Sequence, residues 1–407
     1  MAGPLKNLKI LDLTWALAGP FGTMLLSDLG AEVIKVERPG IGDIARTLEP
    51  FVDSVSTYFF SVNRGKKSMV IDLKTEKGKT LFLKLAAECD VLVENFTPGT
   101  MDSLGLGYET LKLHNPRLIY AACSGYGQTG PESQKPSLDV IAQGRSGVMS
   151  ITGEEGRDPV RVGVSIADLS AGMFTALSIL AAVHERMESG LGQMIDISMV
   201  DSVVALEENA FVRYFATGEE PRRLGSKHPL LTPFQAFPTK DGHIVLVATG
   251  PIEQWALFLE KIDCLDLLSD ERFHNPRTRY KYNKELEPIF TEALKKKTTQ
   301  EWIEEFEPIG MPCGPLNSIA DSAHDSLLIS RKMFVDLPNP GSGKGMMKVV
   351  NTPMKFSRTP AGPENGAPVL GEHTREMLSA LGGLELKDIE ELESQGIINN
   401  IKNRKEG

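Results

Sequence analysis

The stretch RVGVSIADLSAGMFTALSILAAV, residues 161–183, sets a single carboxylate, Asp168, between a β-like run and a long apolar helix. An acid there has two possible jobs. Aspartate is among the preferred N-cap residues, and a helix plainly follows it. The second job uses the same position: a carboxylate at a helix N-terminus is kept ionised by the helix dipole and the free amides. Small neighbours, Ala167, Ser170, Ala171 and Gly172, would let a bulky acyl group approach it, and such a carboxylate can act as a covalent nucleophile. The residues by themselves favour the cap and leave the nucleophile open.

Other candidate chemistry is weaker. GYGQTG, 125–130, fits G-x-G-x-x-G after a strand, but Pro131 and Pro136 follow and no helical pattern starts before about residue 138. A dinucleotide site needs the helix to begin at those glycines, so a flexible loop over a ligand is the better reading. The first strand–helix unit has Gly19-Pro20 and Gly22 instead of that fingerprint. Its second strand ends at Glu37, and Arg38, at a strand's C-terminal end, suits a phosphate. NRGKKS, 63–68, is a solvated loop or a phosphate contact. Scattered histidines and four separated cysteines offer no metal spacing, and no G-x-S-x-G elbow is present.

These residues need elements to position them. Strand-like 8–14, 31–37, 90–95 and 117–123 alternate with helix-like 19–30, 76–89 and 108–114, which implies a parallel sheet covered on both faces. Two further strand–helix units are expected at 160–189 and 193–208. A polar Pro/Gly-rich linker near 216 leads to a hairpin at 234–249, helices at 251–262, 279–296 and 299–308, and a β-like MPCGPLNSI. The expected organisation is a large domain over 1–215, a smaller α+β domain over 225–325, and a segment, 330–407, that returns to the large one. The tail NNIKNRKEG is expected to fray.

The chain of 407 residues carries 44 basic and 54 acidic residues, a net charge of −10, which argues against broad nucleic-acid binding. The apolar run 171–183 is too short to cross a bilayer and reads as a buried helix. Unpaired cysteines and the absence of a signal-like N-terminus lead to an expected cytoplasmic location, or an organelle matrix.

The sequence resembles the class III CoA-transferases, the formyl-CoA and carnitine CoA-transferase family. The resemblance rests on LDLTWALAGPFGTMLLSDLGAEVIKVERPGIGD, VENFTPGTMDSLGLGYE, SGYGQTGP, DVIAQGRSGVMSITG, VGVSIADLSAG, GQMIDISMVDS, TPFQAFPTKDG, MPCGP and LGEHT, in that order. It implies an α/β fold: a large Rossmann-like domain whose parallel sheet is formed by both chain ends, a small inserted α+β domain, and two ring-shaped chains interlocked as a homodimer. The family's nucleophilic aspartate falls on Asp168. The implied chemistry moves CoA from an acyl-CoA to a free carboxylic acid through an aspartyl anhydride and an aspartyl-CoA thioester. Gly125, Gly127 and Gln128 would shield the intermediate. No permanently bound cofactor and no metal are implied; CoA and acyl-CoA are substrates.

CoA contacts implied by the resemblance are Leu17, Ala18, Arg38, Ile71, Asp72, Leu73, Lys74, Asn95, Phe96, Thr97 and Lys135. Leu17 stands where the formyl-CoA transferases have glutamine, and Ser103 where they have arginine. Those enzymes also carry a glycine run where this chain reads LGSKHPLLT, so formyl/oxalate exchange is not favoured. The racemases of this fold need a histidine where Leu138 stands. The run Leu8–Asp43, with ERPGIGDIAR, looks closest to members that handle dicarboxylic acyl groups such as succinyl-CoA. Arg46, Arg64 and Arg145 could then bind a second carboxylate, or bind CoA phosphates, or lie on the surface; His228 is a lesser substrate contact. The alternatives are a racemase of the same fold and a CoA-binding protein without turnover. A dehydrogenase, drawn from the glycine loop and Glu37, is more distant.

Overall fold

The computed structural model describes residues 3–341 and 345–398; the tail from Asn399 onward, on which the expectation of fraying falls, lies outside them. Six short parallel strands form the central sheet: β1 (Lys9–Asp12), β2 (Glu32–Glu37), β3 (Lys67–Val70), β4 (Val91–Glu94), β5 (Ile119–Ser124) and β6 (Met194–Ser198). Their order is β3-β2-β1-β4-β5-β6. β1 therefore pairs with β2 on one side (Ile10 beside Val33) and with β4 on the other (Ile10 beside Val91). This is the doubly wound order that reverses direction between β1 and β4, and ligands of such sheets bind outside the strand C-termini at that reversal.

Alternation of side chains sorts each strand into two cores. Ile10, Val33, Val91, Val93, Ile119 and Ala121 face one side. There they meet helix α1 (Ala18–Asp28) through Leu26, and the long helix α6 (Ile166–Ser189) through Ala176, Ile179 and Ala182. Leu11, Ile34, Met69, Leu92, Tyr120 and Ala122 face the other. They are covered by α3 (Glu76–Ala87), α4 (Tyr108–His114), and two helices near the chain's end, Thr374–Ala380 and Leu386–Ser394. Between α1 and α3 lies the short α2 (Thr57–Asn63), and α5 (Asp139–Ser146) precedes α6.

Two sequence expectations change. All six strands come from residues 9–198; the returning C-terminal segment supplies the two helices and a separate hairpin, Phe334–Pro338 with Met346–Val350, but no strand to the parallel sheet. The residues before α6 form no strand either: the dipeptide segments around Val162 are held as irregular chain by Gln143, whose Oε1 accepts the Val162 N–H at 2.8 Å. Helix α6 is longer than the apolar run alone indicated. By length and composition its 24 residues could cross a membrane, yet one face is packed on the sheet and Arg186 donates to the Asp90 and Arg117 carbonyls. Its other face is open rather than buried, with Met173 and Leu177 exposed.

The chain divides into two compact units, one comprising residues 1–149, 161–219 and 329–407, the other 150–160 and 220–328. The second has its own core, in which Phe237, Trp255, Phe258, Phe290, Trp302 and Phe306 pack beside an antiparallel hairpin, Phe234–Pro238 with His243–Val247.

Within the first unit, α1 and α6 cross at two glycines. A Cβ on Gly172 would lie 2.6 Å from the Ala18 carbonyl oxygen, and one on Gly22 would lie 2.8 Å from the Gly172 carbonyl oxygen. In an ordinary helix Gly→Ala gains up to about 1 kcal/mol. Here backbone would have to give way, so Gly172→Ala should instead destabilise by about 1–3 kcal/mol, measured by urea denaturation; a stabilised variant would show that the crossing is looser than described.

Candidate active site

Helix α6 begins at Ile166, so Asp168 lies inside its first turn and is not the N-cap; that position is Ser165, whose side chain makes no capping bond. The cap comes from elsewhere. Asp139, at the start of α5, accepts the Ala167 backbone N–H on Oδ1 at 3.0 Å, while its Oδ2 accepts from Gln143 Nε2 at 2.7 Å. Arg161 Nη2 stands 3.6 Å from the same oxygen. With one orphan amide of the helix satisfied by Asp139, the half-buried carboxylate of Asp168 takes no hydrogen bond from the described residues. Its pKa is pushed up to about 7, first by burial and then by the like charge of Asp139. The helix dipole therefore does not hold it firmly ionised as the sequence reading expected; desolvation outweighs it.

Small buried residues form the floor beneath it. Ala18, Cys123, Ala142, Ala167 and Ala171 pack together with Met199 and Val203, which brings the start of α1, the end of β5 and the start of α6 to one place. The glycine loop leaves that same strand end. A Cβ on Gly125 would lie 2.3 Å from Ser137 Cβ, and Gly127 has φ +83°, so both positions require glycine. The Gln128 backbone N–H donates to Asp196 Oδ1 at 2.9 Å, while its side-chain Nε2 is buried without a partner. No helix begins between Gly125 and Leu138, and the dinucleotide reading of this loop has no geometric support.

The β1–α1 loop is held from below by a buried ionic network. Lys66 Nζ reaches Asp12 Oδ2, Pro20 O, Thr23 Oγ1 and Asn63 Oδ1, all within 3.0 Å. Asp12 Oδ1 accepts from the Thr14 N–H and hydroxyl. Lys35 Nζ donates to the Thr14 carbonyl at 2.6 Å and pairs with Asp43 at 2.9 Å. Asp43 in turn accepts the Ala16 N–H at 3.0 Å, fixing Ala16 at φ +61°, a region L-residues avoid. Burial lowers Lys66 to about 8 against the pull of Asp12, and Asp12 is held far below the usual carboxylate range because Lys66 and Lys35 outweigh its burial. Removing one member of such a buried pair costs about 3–5 kcal/mol.

The CoA-contact candidates Arg38, Asp72, Leu73, Lys74, Asn95, Phe96 and Thr97 follow the C-terminal ends of β2, β3 and β4, on the edge where the doubly wound order places ligands. Asn95 ties two loops across the reversal point: Oδ1 accepts the Trp15 N–H and Nδ2 donates to the Trp15 carbonyl, both at 2.9 Å. Ile71 departs from expectation, since its side chain is in the core and its N–H is taken by the Glu37 carbonyl. Lys135 is exposed and pairs with Glu132.

The arginines separate. Arg46 grips Glu37 with Nε and Nη2 and lies 3.7 Å over the Phe59 ring. Arg64 is buried against Asp28 and the Ser61 carbonyl. Neither presents a free fork to a substrate; both hold the fold, because a buried guanidinium must find its acceptors within the protein. Arg145 is exposed, 3.0 Å from Glu132, a surface pairing easily exchanged. His228 belongs to the second unit, stacked on Phe234 at 4.7 Å.

The sequence reading passed over Tyr58, on α2, whose phenol is pushed up to about 12 by burial and by the charges of Asp168, Asp43 and Asp139. It stays protonated and within electrostatic reach of those carboxylates. The buried lysines did carry a signal: Lys35 interrupts an apolar strand of a sheet covered on both faces, where an ammonium must be paired.

Comparison with known proteins matches this arrangement to one family. The model of CoA-transferase family III matches residues 5–374. The chain belongs to CoA-transferase family III. It is 39% identical over 396 residues to human succinyl-CoA:glutarate CoA-transferase, covering 97% of this chain and 90% of that protein. It is also 39% identical to succinyl-CoA:mesaconate CoA-transferase of Haloarcula hispanica, covering 93% and 97%. A CAIB/BAIF family protein from Brucella suis has the same fold, with a TM-score of 0.84 at 35% identity over 94% of this chain and 100% of that one. The protein is thus a class III CoA-transferase, an enzyme that uses CoA thioesters.

The raised pKa of Asp168 has a stability consequence. Its folded-state value lies above the ordinary 3.8, so its contribution is complete below about pH 4 and is lost as pH rises through about 7. Asp168→Asn, which cannot ionise, should be more stable than the parent at pH 8, by at most about 4 kcal/mol. The difference should close below pH 4 in denaturant titrations at the two pH values.

Proposed function

We propose that this CoA-transferase moves CoA from a dicarboxylic acyl-CoA such as succinyl-CoA to a second dicarboxylic acid, with Asp168 as the covalent relay. The observation that carries the reading is the Asp168 carboxylate itself: capped out of its structural duty by Asp139, without a hydrogen-bonding partner among the described residues, and bordered by alanines.

An Asp168 oxygen attacks the thioester carbonyl of the donor; the C–S bond breaks, giving an acyl-aspartyl anhydride and CoA thiolate. The thiolate attacks the Asp168 carbonyl, the anhydride C–O bond breaks, and the donor acid leaves an aspartyl-CoA thioester. The acceptor carboxylate attacks that thioester, and the two steps repeat in reverse, regenerating Asp168 and a new acyl-CoA. Splitting one exchange into activated steps is what covalent catalysis supplies. The first N–H groups of α1, at Ala18 and Gly19, are among those a helix leaves without internal acceptors and suit a developing oxyanion. Gln128 Nε2 and the Tyr58 hydroxyl are further donors. Gly125 and Gly127 let the loop lie against the intermediate, and the strand ends carrying Arg38, Asp72–Lys74 and Asn95–Thr97 hold CoA. Arg145 is the arginine left to meet a distal carboxylate.

The human and Haloarcula relatives, named for succinyl-CoA with glutarate and with mesaconate, support the dicarboxylate class. Leu138, exposed ahead of α5, offers no base for two-base racemisation. The open apolar residues Met173, Leu177, Leu206, Val212 and Phe215 on α6 and the helices after β6 support an interface with a second copy.

The test is transfer of CoA from succinyl-CoA to glutarate, mesaconate and oxalate, followed by the mass of each new acyl-CoA. Glutarate or mesaconate should be the faster acceptor, Asp168→Ala should lose at least about 10³-fold in rate, and single-turnover acylation should rise with pH through about 7 as Asp168 ionises. Asp139→Asn should move that midpoint downward. Undiminished transfer in Asp168→Ala, or a preference for oxalate, would overturn the assignment.

A further inference from the structure

The second unit buries a cation that the transferase reaction does not use. Arg279 lies on a six-residue helix, Pro276–Lys281, and its relative exposure is 0%. Nη1 donates to the Ala248 carbonyl at 3.0 Å, and the guanidinium carbon stands 3.8 Å over the Trp255 ring. Those two contacts engage one nitrogen and one face. The other edge, Nε with Nη2, is buried without an acceptor, as is Nε1 of the same Trp255.

The acids near Arg279 in the chain are committed elsewhere. Asp270 and Glu285 bind Arg272, and Glu287 accepts from Gln235 and pairs with Lys227. Burial lowers the titration of Arg279 to about 10, so at neutral pH the group is still a cation, and no carboxylate among the described residues forms an ion pair with it.

A desolvated unit charge is expensive unless it is paired. Backbone and π contacts offset only part of that cost, and the unengaged Nε–Nη2 edge is the fork with which arginine binds anions through two parallel hydrogen bonds. Trp255 and Ala248, each at 1% exposure, lie against the guanidinium, surroundings that favour a small anion over a phosphate ester or a metabolite carboxylate. We propose that the Nε–Nη2 edge of Arg279 is a buried binding site for a monoatomic anion of chloride's size, with the unpartnered indole N–H of Trp255 as a second candidate donor. Asn283, four residues on, also has a buried Oδ1 without a partner.

Bromide is the probe. Crystals of the full chain grown in sodium bromide and measured at the bromine absorption edge should show an anomalous peak in contact with Nε and Nη2 of Arg279. In solution, replacing gluconate by chloride to about 0.1 M at fixed ionic strength should raise the melting midpoint by about 2–4 °C, and Arg279→Gln should abolish that rise. No bromine peak at Arg279 would overturn the proposal and leave the edge to water alone; a chloride response equal in the parent and Arg279→Gln would also overturn it. Neither readout depends on transferase activity, so the outcome is independent of the function assigned to Asp168.

Discussion

The hydrogen bond from the Ala167 N–H to Asp139 Oδ1, 3.0 Å long, decides what Asp168 is free to do. A helix start needs acceptors for its orphan amides, and an aspartate in the first turn is a natural supplier. Because Asp139, 28 positions before Ala167, fills that need, both Asp168 oxygens are left without partners among the described residues. The same carboxylate that releases it also repels its charge, which together with burial lifts its pKa to about 7. A carboxylate that ionises near neutral pH and holds no competing hydrogen bond among the described residues is suited to the attack on a thioester that we propose for it.

Around that bond, rigidity is concentrated where the reaction needs it. Glycines at 22 and 172 let α1 and α6 approach to backbone contact, so their N-termini share one floor of small side chains. Beneath the β1–α1 loop, Lys35, Lys66, Asp12 and Asp43 hold a backbone that includes an alanine at positive φ. Buried ion pairs seldom add net stability over an apolar core, and their strength lies in the penalty for breaking them. Here that penalty fixes the loop that leads into α1, whose first amides the proposed mechanism uses. Strain of this kind gathers at functional positions.

Much of this was legible in the sequence. The β–α alternation from Leu8 to Cys123 marked the parallel sheet, because strands buried on both faces read as continuous apolar runs, and the ordered motifs marked the family. Boundaries shifted by a few residues, as at β1, where pairing stops at Asp12 and the chain turns into the network. The C-terminal segment was misread as a contributor of strands because the Met346–Val350 pattern does not say which strand it will pair with. Asp168 was singled out by its isolation beside a helix, and its nucleophilic role was implied by the resemblance alone. The capping role of Asp139 was not legible, since its partner is remote in sequence and the bond runs to a backbone amide that no side-chain pattern reveals. Arg46 and Arg64 looked available for substrate because a sequence shows the charge and hides the buried Glu37 and Asp28 that consume it.

The most direct measurement is peptide mass spectrometry of the protein mixed with succinyl-CoA and quenched with hydroxylamine or borohydride. The expected result is a hydroxamate, or a reduced side chain, at position 168 that is absent from Asp168→Ala and from protein given free CoA and succinate in separate samples. Turnover with no modification at Asp168 under either trap, or with the adduct on another carboxylate, would contradict the covalent role of Asp168.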